Sequence, residues 1–395
     1  VEAEVAGLPP TPTGARVARD LGGALVFLAK KDDLVLVPKA PTPGFLADLA
    51  RVGFVVPEVV EGGPERIEGR RITGIVPWGW SPAVCAAYAT LGAPAWDPAH
   101  RAFYEKTWAV ERLRERPDLC DPAVVGVVCR SWDEVAAVAT PRHVLKAPLG
   151  TAGRGNRRWG PDVEPWARRV LAEQGALVVE PWLDRVVDLS VQIDVGDRVA
   201  VAQPGRFLTD ARGGYRGAVL GSAYRDLPKD TFRAAFQAHA TLREAALHVG
   251  AALRDQGFRG PAGIDALLYR GPDGLALKPL VEVNPRMTMG RVARALGERV
   301  RHTEVGLWVQ VSRDEVRAAG FAGLPAWAEA LRARAPLTTK GDPALIAGGA
   351  LFTTDPAAAE RLVTVLVVAE SLEACRGLLG LAAPSETRPN APSPR

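Results

Sequence analysis

The chain has 395 residues, 47% of them hydrophobic and 24% charged, the balance of a globular protein with roughly 100–200 residues in each of its domains. That balance excludes a disordered, collagen-like or coiled-coil chain. Lys plus Arg total 49 against 45 Asp plus Glu, a net charge of only +4, so a nucleic-acid partner is not expected.

Arginine makes up most of the basic residues. Its planar fork grips carboxylates and phosphates through paired hydrogen bonds, although genomic codon bias explains the excess equally well. The four cysteines, Cys85, Cys120, Cys129 and Cys375, form no C-x-x-C pair. Neither a zinc site nor a disulfide framework is therefore expected, and reduced thiols in the cytoplasm are. No apolar run reaches the ~20 residues that span a bilayer. The start, VEAEVAGLPPTPTGARVARD, is acidic and Pro-rich, without the order of a signal peptide. The expectation is a cytoplasmic protein with no membrane partner.

In chain order, ALVFLA, DLVLVPK, FVVPEVV and TGIVPW read as strands, and PGFLADLARVG as a short helix. SPAVCAAYATLG reads as a helix with Ser81 as N-cap, Pro82 at its first position and Gly92 at its end. Strand–helix alternation predicts a small doubly wound open sheet. GAPAWDPAHR reads as a linker, AFYEKTWAVERLRER as an exposed helix and SWDEVAAVA as a helix capped by Ser131. Then come the strand RHVLK, a glycine-rich loop, the helix EPWARRVLAEQG and the buried strand ALVVEPWL. DLSVQIDV alternates and predicts a half-buried strand. A helix is predicted from Lys229 to Gly257. GIDALLY and LALKPLVEVN follow as strands around a turn at Gly271–Gly274. Beyond Val311 the periodicity weakens, and the tail APSETRPNAPSPR reads as disordered.

Three segments carry chemistry. In LKAPLGTAGRGN, Lys146 precedes Gly150, Gly153, Arg154 and Gly155; glycines free backbone N–H groups to face a phosphate, and Lys and Arg add charge. A glycine-rich hairpin without a ligand fits the same residues. In GIDALLY and LVEVNPR, Asp265 lies on one strand and Glu282 and Asn284 two apart on the next, hence on one face. If the strands pair, three oxygen ligands suited to Mg²⁺ converge; a buried ion pair or capped turn is the alternative. VVEPWLDRVVD runs a strand into Glu180 and Leu183, with Asp188 beyond, and by itself reads as an ordinary hinge. RFLTDARGGYRGAVLG gathers Arg206, Arg212, Tyr215 and Arg216 around glycines, as a lid over substrate or an exposed hairpin.

Taken in this order, YEKTWAVERL, LKAPLGTAGRGN, VVEPWL, GIDALLY and LVEVNPR resemble the ATP-grasp superfamily over roughly Ala102 to Gly297. The resemblance implies two α+β subdomains clamping ATP, behind the small open-sheet domain. It implies Lys106 and Lys146 on ATP phosphates, residues 150–155 closing over them, Glu180 and Leu183 at adenine, and Asp188 at ribose. It further implies Asp265, Glu282 and Asn284 on Mg²⁺ (or Mn²⁺), and Arg286 of NPR beside the reacting carboxylate, where a plain surface charge is the alternative. Some amide-forming members carry an arginine shortly before the first metal Asp. This chain has GPAGID there, with Arg259 further off, so Arg212 and Arg216 stand beside Arg286 as catalytic candidates.

The expected organisation is an N-terminal α/β domain over 1–100, an ATP-grasp small subdomain over 101–183, a C-terminal subdomain with the metal site over 184–310, and an extension over 311–395. The expected activity is ATP- and Mg²⁺-dependent ligation of a small-molecule carboxylate to an amine through an acyl phosphate. A kinase, a carboxylase and a non-catalytic nucleotide-binding protein are the alternatives. A homodimer is left open.

Overall fold

The structure is a computed structural model that describes residues 1–9, 11–150, 155–210 and 213–381. Among these the chain forms a two-stranded, a four-stranded and a ten-stranded sheet.

The two-stranded sheet pairs β1 (Leu34–Val37) with β2 (Glu58–Glu61) in parallel, joined by the helix Pro43–Arg51. Thr42 caps that helix by accepting the Phe45 N–H at 3.4 Å. The doubly wound sheet expected over 1–100 is thus a single β–α–β unit. Two of its expected strands do not form: ALVFLA is a 3₁₀ turn at Gly23–Leu28, and TGIVPW has no regular structure. Ala24 and Val26 instead pack into the core shared with the C-terminal half of the chain.

The four-stranded sheet runs in the order β3 (Val127–Cys129), β6 (Leu177–Pro181), β4 (His143–Lys146) and β5 (Asn156–Arg158). Helices Trp132–Val138 and Glu164–Gln174 cover its far face through Val135, Ala167 and Val170.

The ten-stranded sheet contains β7 (Asp184–Val195), β8 (Val199–Val201), β9 (Gly205–Thr209), β10 (Tyr215–Gly221), β11 (Gly260–Gly271), β12 (Gly274–Asn284), β13 (Val305–Ser312), β14 (Thr338–Lys340), β15 (Leu345–Phe352) and β16 (Leu362–Ala369). Its order is β12-β11-β7-β9-β10-β13-β16-β15-β14, with β8 on β7. The sheet runs straight across residue 310: β13 pairs with β10 on one side and with β16 on the other. Residues 311–381 therefore share a sheet and a core with what precedes them.

The helix Lys229–Asp255 lies on β7 and β11, burying Leu242, Val249 and Leu253 against Val187, Leu189, Val191 and Ile193. DLSVQIDV does alternate, but three of its four polar side chains are buried too: Asp188, Ser190 and Gln192 are 9%, 8% and 5% exposed, and only Asp194 faces solvent. The strand is buried on both faces because a second layer covers the polar one. The helix expected to be exposed at AFYEKTWAVERLRER spans Lys106–Arg114 and buries Trp108, Ala109 and Leu113 in the same core.

Candidate active site

The four-stranded and ten-stranded sheets meet at a cluster of buried charges. On the larger sheet, Asp265 of β11 stands opposite Ser190 of β7 on one side and Glu282 of β12 on the other. Side chains opposed across a ladder share a face, so Asp188, Ser190, Asp265, Glu282 and Asn284 all turn to the smaller sheet. A register shift between Asp265 and Leu267 sets Lys278 opposite Leu267, which is itself opposite Asp188. Lys278 thereby joins the same face. From the smaller sheet come Lys146, the last residue of β4, and Glu180 of β6. Lys106 enters from the first turn of its helix, whose backbone N–H donates to the Pro148 carbonyl at 2.9 Å.

Two ion-pair groups join the layers. Glu180 accepts from Lys278 at 2.7 Å and is ion-paired with Lys146; the three are only 6%, 2% and 9% exposed. Burial by itself would raise the Glu180 carboxyl, but the two ammonium groups hold it down at about 2. Burial pulls the Lys146 ammonium down, Glu180 offsets part of that, and Lys278 and Lys106 add to it. In the second group Lys106 donates to Glu282 at 2.9 Å and to the Gly150 carbonyl at 3.4 Å.

Asp265 is less well compensated. Burial, with the charge of Glu282 adding to it, pushes its carboxyl up to about 7, against the opposing effects of Arg286 and Asn284. Asn284 donates Nδ2 to Asp265 at 3.2 Å, and its Oδ1 accepts from Arg286 at 3.0 Å. Arg286 also pairs with Glu2 from the N-terminal helix and donates to the Met287 carbonyl at 3.0 Å. Burial would raise Glu2 as well; Arg286 is the chief reason its carboxyl lies below the usual range. The N-terminal domain brackets this strand end, with the Trp78 carbonyl accepting the Met287 N–H at 2.7 Å and Tyr104 donating to the Trp80 carbonyl at 2.9 Å.

Two polar atoms on these faces are buried without a hydrogen-bond partner among the described residues: the Tyr215 hydroxyl and Asn156 Oδ1. Tyr215 of β10 stacks on Phe207, and its register partner Thr209 donates to Asp188 at 2.8 Å. Asn156 of β5 stands opposite Lys146. An orphaned buried polar atom costs about 1–3 kcal/mol, which a ligand in the cleft would remove.

The structure brings together Lys106, Lys146, Gly150, Gly155, Glu180, Asp188, Asp265, Glu282, Asn284 and Arg286. Gly150 and Gly155 form the stem of the expected phosphate loop. A Cβ on Gly150 would stand 3.3 Å from the Gly155 Cα, so only small residues let the two arms approach. Leu183 packs at the edge of an apolar patch with Val124, Leu267 and Tyr269. Asp188 is held by Arg185 and Thr209. Gly153, Arg154 and Arg212 lie outside the described residues. Arg216 is not brought to the cleft: it pairs with Glu315, which also closes the capping box on Ser312. Its neighbour Tyr215 faces the cleft instead. Arg259 is bound to the Arg254 and Phe258 carbonyls at 2.8 and 2.9 Å, away from the cluster.

Lys278, Glu2, Arg185 and Thr209 are site residues the sequence reading missed. Lys278 had a usable signal: it interrupts the apolar strand LALKPLVEVN four residues before Glu282, and a lone lysine in such a strand needs a partner. Glu2 had none, because its contact with Arg286 spans nearly the whole chain.

No protein-family model matches this sequence, and no curated protein is significantly similar to it. Solved structures are. N5-carboxyaminoimidazole synthetase from Staphylococcus aureus, complexed with ADP, superposes with a TM-score of 0.51 at 10% identity, covering 92% of this chain and 94% of its own. The chain has an ATP-grasp fold. Two further matches are carboxyaminoimidazole ribonucleotide synthase from Aspergillus clavatus complexed with ATP (TM-score 0.48, 15% identity, 88% and 96% coverage) and the biotin carboxylase domain dimer of Hydrogenobacter thermophilus 2-oxoglutarate carboxylase with MgADP, ADP and bicarbonate (0.49, 14%, 88% and 88%).

Within this ATP-grasp fold the donor set at β11 and β12 fits a hard divalent cation. Asp265 and Glu282 are opposed, half-buried carboxylates, and a cation between them would relieve the burial and repulsion that raise Asp265. Among the described residues no group of three or more His, Cys, Asp or Glu is gathered to hold a metal, and the further side-chain oxygen beside the two carboxylates is that of Asn284. That oxygen is turned to Arg286 here, and presenting it to a cation requires the amide to rotate. None of the described helices is long and apolar enough to cross a membrane.

Proposed function

We propose that the chain is an ATP- and Mg²⁺-dependent ligase. It activates a small-molecule carboxylate as an acyl phosphate, releases ADP, and passes the acyl group to an amine. The observation that carries this reading is the convergence of Lys106, Lys146 and Lys278 with Asp265 and Glu282 between two sheets, all at buried or half-buried positions. Three ammonium groups and three carboxylates, Glu180 among them, are costly to bury in one cleft as an unliganded core. They are suited to a polyphosphate and its cation.

Position and the resemblance to ATP-grasp enzymes support the following roles. Lys146 and Lys106 flank the stem of the glycine loop and neutralise phosphate charge. Lys278 holds Glu180 at the hinge, beside the apolar patch at Leu183, where an adenine ring has both an acceptor and a dry surface. Asp188 and Thr209 lie where ribose hydroxyls would be met. Asp265, Glu282 and Asn284 would hold Mg²⁺, which when bound neutralises charge on the transferring phosphate. Arg286 stands two residues past Asn284 and orients the substrate carboxylate by its guanidinium fork. The chain's part in the reaction is positioning and charge neutralisation. Carboxylate oxygen attacks the terminal phosphorus, the bond to the bridging oxygen of ADP breaks, and the amine then displaces phosphate from the acyl carbon.

The second reading is carboxylation, in which bicarbonate is the activated carboxylate. The likeness to an ADP-bound carboxyaminoimidazole synthetase over nearly the whole chain favours it. One experiment separates the readings. A panel of carboxylates is screened for ADP release with Mg-ATP and hydroxylamine. A ligase yields a hydroxamate with ADP and phosphate. A carboxylase releases ADP only when bicarbonate is present, and a kinase yields ADP without hydroxamate. If no carboxylate or bicarbonate elicits ADP release, the enzymatic reading fails.

A further inference from the structure

A second recess, of about 350 Å³, lies in the C-terminal half of the molecule and shares no residue with the cleft. Four arginines line it: Arg16, Arg313, Arg317 and Arg361. They come from separate places in the chain. Arg16 projects from the helix Pro12–Gly22, Arg313 and Arg317 from the short helix Arg313–Ala318, and Arg361 from the residue before β16.

Arg19, Arg206, Arg216 and Arg286 each pair with a carboxylate. None of the four around the recess has an ion-pair or hydrogen-bond partner for its guanidinium among the described residues. The acid in the lining, Glu360, is already paired with Arg19 at 3.3 Å. The recess is therefore a concave surface with four uncompensated positive charges, and like charges gathered at a concavity raise the local concentration of anions.

The backbone that presents them is held firmly. The buried carboxylate of Asp20 accepts three consecutive N–H groups, from Glu360 at 2.9 Å, Arg361 at 2.7 Å and Leu362 at 3.1 Å. The Arg313 N–H donates to the Arg361 carbonyl at 2.7 Å. These bonds lock the start of β16 against two helices and so fix the bases of Arg16, Arg313 and Arg361 around one space. A solvated basic face needs no such scaffold.

We propose that this recess binds a compact polyanion of the pyrophosphate or phosphate-ester class. Several guanidinium forks converging on a small volume match an anion whose oxygens are close together and carry more than one charge. An extended nucleic-acid strand would need a stripe of charge beyond the recess. The proposal is independent of the reading of the cleft.

The test is arginine modification by phenylglyoxal with peptide mapping, at constant ionic strength, with inorganic pyrophosphate as the probe. Arg233 and Arg243, exposed on the long helix and unpaired among the described residues, serve as controls. Saturating pyrophosphate should slow modification of Arg16, Arg313, Arg317 and Arg361 by at least about fivefold and leave the controls unchanged. The protection should persist in Lys146→Ala, which removes a phosphate-binding lysine of the cleft. It should disappear from Arg16 and Arg317 in the double variant Arg313→Gln/Arg361→Gln. If that variant does not fold, the wild-type protection pattern still decides. Equal slowing of the controls, protection by duplex DNA but not by pyrophosphate, or equal protection by citrate would each overturn the proposal.

Discussion

Replacing Asp265 by Asn separates stability from catalysis. In the folded chain burial, with the charge of Glu282 adding to it, pushes its carboxyl up to about 7, against about 3.9 for an aspartate in the unfolded chain. A folded-state value raised in this way contributes stability that is complete below the unfolded value and is lost as pH rises through the folded one. Between about pH 4 and pH 7 the wild type should therefore lose stability that Asp265→Asn keeps. Three pH units at about 1.4 kcal/mol each set a ceiling of about 4 kcal/mol, and relaxation of the site brings the expected gap to about 1–3 kcal/mol. Asparagine keeps an oxygen to accept the Asn284 N–H, so the substitution removes charge with little change of shape. The assay is urea denaturation of both proteins at pH 5 and pH 8 without divalent cations. At pH 8 the variant should be the more stable, and at pH 5 the gap should shrink. Adding Mg²⁺ with a non-hydrolysable ATP analogue at pH 8 should stabilise the wild type alone, and the variant should have no turnover. A variant no more stable than the wild type at pH 8, or a gap that does not change with pH, would refute the account of Asp265 as an under-compensated carboxylate.

Lys278→Met should destabilise by about 1–3 kcal/mol, less than a fully orphaned buried charge costs, since Glu180 keeps Lys146; adding Glu180→Gln should recover part of the loss in the same denaturation assay. Lys146→Ala should weaken nucleotide binding at least about tenfold, about 1.4 kcal/mol, while Lys229→Ala on the exposed first turn of the long helix leaves it unchanged. Equal titration curves would remove the phosphate role of Lys146. Tyr215→Phe deletes a buried hydroxyl with no hydrogen-bond partner among the described residues and should be neutral or stabilising by up to about 1 kcal/mol. A clear loss of melting temperature would mean that the hydroxyl is satisfied within the protein.

The local pattern of the chain was enough to mark segments that the fold brings together. Glycine spacing after Lys146, polar residues two apart in LVEVNPR and the turn at Gly271–Gly274 specify a loop, a shared face and a hairpin through backbone geometry alone. The β11–β12 ladder accordingly sets Asp265 against Glu282. Where burial was at issue, the same local reading failed. The helix at Lys106–Arg114 and the polar face of β7 looked solvent-facing, and both lie under a second layer. Arg216 and Tyr215 are adjacent, and composition favoured the arginine. The tertiary structure commits Arg216 to Glu315 and leaves Tyr215 near Asp265. Lys278 and Glu2 became site residues only through partners about a hundred and nearly three hundred positions away. Periodicity reports which residues share a face of one element, because that is set by bonds a few residues long. What lies against that face is decided by how separate layers dock, and the pairing of buried charges is settled only there.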